Sequence, residues 1–158
     1  MKKIGVVSDT HGIIRPELAG LLADCDLIVH AGDMDNADTL EELLGLGPPC
    51  RIVRGNCDYG AWSGRLPAFE LFEFAGYHFY VRHIPWQIDI DPAAAGVDMV
   101  ITGHTHRAEI RREGDIMFLN PGSAGPVSTG RIPTAALVTI DKNGLSPAVA
   151  RLEVGFSG

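Results

Sequence analysis

Three short apolar runs recur at even intervals in the first third of the chain: KIGVVS (3–8), LIVHAG (27–32) and RIVRG (51–55). Each is the length of a buried strand and too short for an amphipathic helix. Between the first two, Pro16 opens a helix that runs to about residue 24. Between the second and third, Asp38 and Glu41 have capping-box spacing ahead of a helix through about Leu44. A β-α-β-α-β order implies a parallel sheet with crossover helices. The second half reads differently. FELFEFAGYHFYVRH (69–83) is two strands around Ala75-Gly76, a hairpin. Pro92 to Gly96 is expected as a short helix, and VDMVITG (97–103) as another buried strand. RAEIRRE and IMFLN flank a Gly114-Asp115 turn, and TAALVTI with the segment after Lys142-Asn143-Gly144 makes a third hairpin. Parallel units followed by hairpins predict an α/β sandwich: two mixed sheets face to face, with helices outside. At 158 residues and 46% hydrophobic content, residues 1–158 are expected to form a single domain with its own core.

The bulk numbers exclude several partners. Net charge is −7 with no Lys or Arg run longer than a pair, so a face that holds nucleic acid by its backbone is not expected. Cys25, Cys50 and Cys57 are odd in number and lack metal-site spacing, which points to a reducing compartment without disulfides. The start, MKKIGVVSDTHG, has too short an apolar run for a signal peptide, and nothing has the length of a membrane span. A soluble, cytoplasmic protein with no membrane partner is expected; a homo-oligomer is left open.

The chemistry-bearing residues follow the strands. Asp9 and His11 come after the first, Asp33 after the second, Asn56 and Asp58 after the third. His83 ends a hairpin strand, and His104 with His106 follow VDMVIT. Sites in open α/β sheets form outside the carboxyl ends of the strands, so five strand ends deliver these residues to one crevice. In an extended chain positions i and i+2 face the same side, which lets His104 and His106 reach one point. Any one of these residues alone is an ordinary turn residue; the set together predicts a metal site. Carboxylate, amide and imidazole donors without thiolate argue against a structural zinc site. They suit Mn²⁺ foremost, with Fe²⁺, Zn²⁺ or Ni²⁺ as alternatives. Seven donors exceed one catalytic ion with an open position, and they match two divalent ions roughly 3.5–4 Å apart sharing a carboxylate.

The ordered motifs SDTHG (8–12), AGD (31–33), RGNCD (54–58), His83, GHTH (103–106) and NPGS (120–123) resemble the calcineurin-like metallophosphoesterases, specifically the small single-domain prokaryotic phosphodiesterases. The resemblance implies a four-layer αββα sandwich, a dinuclear centre and hydrolysis of a small-molecule phosphodiester by metal-activated hydroxide. Carried over by position, one ion takes Asp9, His11, Asp33 and His106, and the other takes Asp33, Asn56, His83 and His104, with Asp33 bridging. Asp58 is expected to orient Asn56 or a histidine, and Arg54 to clamp phosphate or to sit in a surface ion pair.

Two departures stand out. Larger relatives place a histidine after the motif asparagine, thought to protonate the leaving group, where this chain has Cys57 as many small relatives do. Small relatives usually continue His-Gly-His at the fourth ligand, where this chain reads His83-Ile84-Pro85. A missing general acid typically costs 10²–10⁴-fold in rate, so activated diesters are better expected substrates than alkyl monoesters. The Ile-Pro pair also raises the prospect of His83 tilting away from the metal. His30 reads as a core histidine or a neighbour to the ligands, and His78, Tyr80 and Arg82 as a surface row. GLGPP (45–49) lacks a phosphate loop's third glycine, and PGSAG (121–125) lacks a nucleophile elbow's first. Asn120 and Ser123 fit either a phosphate contact or a tight turn. The competing function is a protein-interaction scaffold with little or no activity, similar to the retromer subunit of this fold. An exposed apolar patch would favour it, with Trp62, Trp86 and Ile88 as the candidates.

Overall fold

Alternation along the first strand sets the layering. In β1 (Lys2–Val7), Ile4 and Val6 turn to one face and Val7 to the other, as the two-residue period of a strand requires. β1 pairs in parallel with β2 (Leu27–His30), and β2 with β3 (Cys50–Ile52). The computed structural model describes residues 1–126 and 131–152. The crossovers are the helices α1 (Pro16–Ala23) and α2 (Ala37–Leu44). Helix α1 begins at Pro16, whose missing amide is harmless in the first turn. Helix α2 is capped by Asn36 rather than by the expected Asp38–Glu41 box. Asn36 is extended, with φ −153°, and its Oδ1 accepts from the Thr39 amide at 2.9 Å. Asp38 is left inside the first turn, where its charge suits the helix dipole.

The hairpins form as the turn residues indicate. They are β4 (Phe69–Phe74) with β5 (Tyr77–Arg82), β7 (Ala108–Glu113) with β8 (Ile116–Pro121), and β9 (Thr134–Asp141) with β10 (Gly144–Arg151). The buried strand β6 (Met99–Ile101) lies parallel to both β5 and β8. Two five-stranded mixed sheets result, ordered β10-β9-β1-β2-β3 and β4-β5-β6-β8-β7. They bury Ile4, Val6 and Val29 of the first against Phe79, Val81 and Ile101 of the second. Helices α1 and α2 cover the outer face of the first sheet through Leu18, Leu22, Leu40 and Leu43. Each fully buried leucine contributes roughly 1.5–3 kcal/mol relative to exposure. The architecture is the αββα sandwich.

The outer layer on the second sheet is thin. It consists of a 3-10 turn at Pro85–Gln87 and the segment 92–96, which forms turns and not the expected helix. There the Val97 amide reaches back to the Pro92 carbonyl at 2.9 Å, and Gly96 at φ +72° ends the turn before a second can form. Ile88 and Ile90 pack with Tyr80, Val97 and Val100 beneath this layer. Tyr80 is therefore fully buried, and the expected surface row reduces to exposed His78 and half-buried Arg82.

One side chain ties the strand ends of the first sheet together. Asp58, 4% exposed, accepts four main-chain amides: Asp33 and Gly55 on Oδ2 at 2.9 Å, and Met34 and Asp35 on Oδ1 at 2.8 and 2.9 Å. The loops after β2 and β3 thus share a single anionic acceptor. An unsatisfied buried amide costs about 1–3 kcal/mol. Asp58→Ala is expected to lower the stability of the metal-free protein by at least ~3 kcal/mol in urea titrations. A loss below about 1 kcal/mol would contradict this account of the loops.

Candidate metal centre

The loops after β1, β2, β3, β5 and β6 converge at one edge of the sandwich, and two buried aspartates form the centre of what they bring together. Asp9 is fully buried; its Oδ2 accepts from Ser8 Oγ at 2.6 Å and from the His104 amide at 3.0 Å. Its Oδ1 has no hydrogen-bond donor, yet faces His106 Nε2 at 3.2 Å, His11 Nε2 at 3.7 Å and His83 Nε2 at 3.8 Å. Asp33 repeats the arrangement. Its Oδ1 accepts from the Cys57 amide at 2.8 Å, and its Oδ2 faces His83 Nε2 at 3.1 Å and His11 Nε2 at 3.9 Å. His83 Nε2 is buried without an aligned hydrogen-bond partner, so its closeness to Asp33 is electrostatic contact only.

The far nitrogens are held by the protein. His83 Nδ1 donates to the Ala31 carbonyl at 2.7 Å, which fixes the ring and leaves Nε2 turned inward. His11 Nδ1 lies 3.0 and 3.1 Å from the two oxygens of Asp35. His104 Nδ1 lies 3.0 Å from Asn56 Oδ1, both at the exposed mouth. Three donor groups emerge: Asp9–His11–His106, Asp33–His83–His104, and His11–Asp35–Cys57, the last on the outer side of His11. Asp33 Oδ2 faces both His83 and His11, which lie in different groups. Ile84-Pro85 does not carry His83 away from the cluster.

Backbone conformation marks the same residues. Among the described residues, seven non-glycines have positive φ, and six belong here: Asp9, His11, Asp33, Asp35, His104 and His106, between 45° and 76°. Such conformations cost of order 1–3 kcal/mol each and concentrate at functional sites. Glycines allow the loops to close. A Cβ on Gly103 would strike Ser8 Oγ and lie 2.9 Å from Asp9 Oδ2, and one on Gly55 would strike Asp33 Oδ1.

Charge follows from the geometry. Burial alone would raise the Asp33 carboxyl, but His83, the Cys57 amide and His11 together hold it down at about 2. Asp9 is likewise lowered despite its burial, by His11, His83 and Ser8. His11 is pushed up to about 9, chiefly by Asp9 and against its burial, with help from Asp35. His83 is raised too, burial being outweighed by Asp33 and Asp9. His30 lies fully buried beneath the site, between Thr10 Oγ1 and the Gly32 amide, and burial lowers it to about 4. It is a neutral core histidine.

Several expected roles change. Asp58 orients neither Asn56 nor a histidine, because both its oxygens are engaged by main-chain amides. Asn120 binds the Gly103 carbonyl, Thr105 Oγ1 and the Gly122 amide, and Ser123 Oγ donates to the Asp9 carbonyl, so both hold turns. Arg54 lines a cavity of about 220 Å³ beside Asn56 and His83. Cys57 keeps its proton at neutral pH, since burial and Asp33 push the thiol to about 11. Asp35, which orients His11, was not foreseen; its place two residues after Asp33 is the available signal. Trp86 also belongs here, with its ring 5.1 Å from that of His104.

The oxygen and imidazole donors of the Asp9 and Asp33 groups, with orphaned inward atoms on Asp9 and His83, fit divalent metal. Known proteins share this arrangement's scaffold. A probable metallophosphoesterase of Methanothermobacter thermautotrophicus is 35% identical over 159 residues, covering 94% of this chain and 91% of that protein. The structure of a novel archaeal phosphodiesterase superposes with a TM-score of 0.78 at 24% identity, covering 94% of this chain and 99% of the other. Vps29 from Entamoeba histolytica, solved with zinc, has a TM-score of 0.74 at 22% identity, covering 96% and 99%. The calcineurin-like phosphoesterase superfamily domain matches residues 1–143, which include every loop of the site, and the chain therefore belongs to that superfamily.

Proposed function

We propose that the protein is a metal-dependent phosphodiesterase whose centre holds two divalent cations, Mn²⁺ foremost. Asp9, His11, Asp33 and His106 would hold one, and Asp33, Asn56, His83 and His104 the other, with Asp33 shared. The observation that carries this reading is the pair of orphaned atoms, Asp9 Oδ1 and His83 Nε2, buried and aimed into the space between the Asp9 and Asp33 groups. A buried carboxylate oxygen that faces three imidazoles and has no aligned donor keeps a lone pair free for a cation. When bound, two such cations supply Lewis acidity to the phosphoryl group and lower the pKa of water.

The chain's own residues do the rest. Rigid loops, bonded through Asp58 and Asp9, hold the donors in place before substrate arrives. Arg54, in its cavity beside Asn56, is placed to receive a phosphate or a second anionic group. In the reaction water adds to phosphorus, the P–O bond to the alcohol breaks, and a monoester, an alcohol and a proton are released. Ile84-Pro85 provides no proton donor in place of the second histidine of small relatives. Leaving groups that are stable as anions suit such a site.

The scaffold reading draws support from the likeness to Vps29. Its expected patch does not form. Trp62 packs half-buried against the helical layer and Ile88 against Tyr80, which leaves Trp86 alone exposed. Mn²⁺ or Ni²⁺ is expected to support hydrolysis of bis(p-nitrophenyl) phosphate, followed at the absorbance of p-nitrophenolate, and a chelator to abolish it. Metal-replete protein that turns over no aryl diester would overturn the enzyme and promote the scaffold.

A further inference from the structure

The 3-10 turn after His83 presents an indole to the site. Pro85 fixes the turn's first φ, and Gln87 N to Ile84 O at 3.0 Å and Ile88 N to Pro85 O at 3.4 Å close it. Ile88 anchors the turn on the Tyr80–Val97–Val100 cluster. The turn separates two cavities. Ile84 and Gln87 line the cavity of about 220 Å³ that also holds Arg54 and Asn56. Pro85 and Ile88 line another of about 160 Å³ together with Thr105 and Asn120. Trp86, in the turn whose neighbouring residues line one cavity or the other, is 71% exposed, its ring at 78° to His104. A large apolar ring left in water by a braced turn forgoes burial, and its contact is with a candidate metal ligand rather than with the core.

We propose that Trp86 is a stacking platform for a nucleobase, so that the substrate is a nucleotidyl phosphodiester; this rests on the phosphodiesterase reading above. A substituent on a phosphate held beside His104 lies within reach of the indole. Aromatic side chains stack on any base, since every base has a π-face. Arg54 and Gln87 in the adjoining cavity offer hydrogen bonds to sugar or base edge. Hydrolysis would break the P–O bond to the second alcohol and yield a nucleoside monophosphate, that alcohol and a proton. A protein partner seated on Trp86 would instead cover His104 and block the site.

The first test is calorimetric titration of the Mn²⁺-loaded protein with adenosine 5′-monophosphate and with ribose 5-phosphate. The nucleotide should bind at least about fivefold more tightly, the low end of a base–aromatic stack. Trp86→Ala should shrink that preference below about twofold, while Trp86→Tyr keeps most of it. Equal affinities in the parent protein would overturn the proposal. The second test compares p-nitrophenyl thymidine 5′-phosphate with methyl p-nitrophenyl phosphate, which share a leaving group. The ratio of their kcat/KM values should fall at least about fivefold in Trp86→Ala. An equal loss on both esters would mean that the indole only braces His104, and would also overturn it. If neither ester is hydrolysed but the Trp86-dependent nucleotide preference persists, the platform stands and the phosphodiesterase reading fails. If both are hydrolysed with no nucleotide preference, that reading stands and the platform fails.

Discussion

Two buried carboxylates, each half bound by the backbone and half turned to imidazoles, are the constraint on which the rest of this structure depends. Asp9 and Asp33 lie at the ends of adjacent parallel strands with almost no exposure. Burying two anions a few ångströms apart is unfavourable unless hydrogen bonds and positive charge compensate. The compensation comes from every direction: Ser8 and two main-chain amides on the outer oxygens, and His11, His83 and His106 on the inner ones. Loops must curl tightly to provide it, which explains why left-handed backbone accumulates at Asp9, Asp33, His104 and His106. It also explains why glycine is required where Gly55 and Gly103 touch these carboxylates. Asp58 gives the curled loops a common acceptor and keeps them from unwinding.

Much of this was legible in the sequence because strand ends are where short apolar runs stop. The parallel runs and hairpins appear close to their expected bounds, since period-two patterns and Gly-containing turns are local properties. The gathering of Asp9, His11, Asp33, His83, His104 and His106 at one edge was legible for the same reason. What failed was local backbone conformation in two places and long-range contact in two others. The cap at Asn36 competes with Asp38 by backbone conformation, which residue type alone does not show. The turn at 92–96 stops where Gly96 adopts positive φ. Tyr80 is buried because segment 84–97 folds over it, and strand alternation could not reveal that cover. Asp58 looked like a partner for the ligand side chains; its four amide bonds exist only once two loops meet.

A phosphodiesterase and Vps29 share this fold with comparable TM-scores of 0.78 and 0.74, and fold alone does not fix function. The decision rests on side chains at one edge. Here carboxylates and imidazoles converge, Asp9 Oδ1 and His83 Nε2 are orphaned, and the stretch after His83 forms a braced turn with an exposed indole.

The central claim is that Asp33 joins two cations, and metal content tests it most directly. Mass-spectrometric metal analysis of Mn²⁺-reconstituted, desalted protein should find about two ions per chain, as expected where two sites share a carboxylate. Asp33→Asn should lose metal from both sites, because the one residue serves both. Retention of two ions by Asp33→Asn would contradict the account.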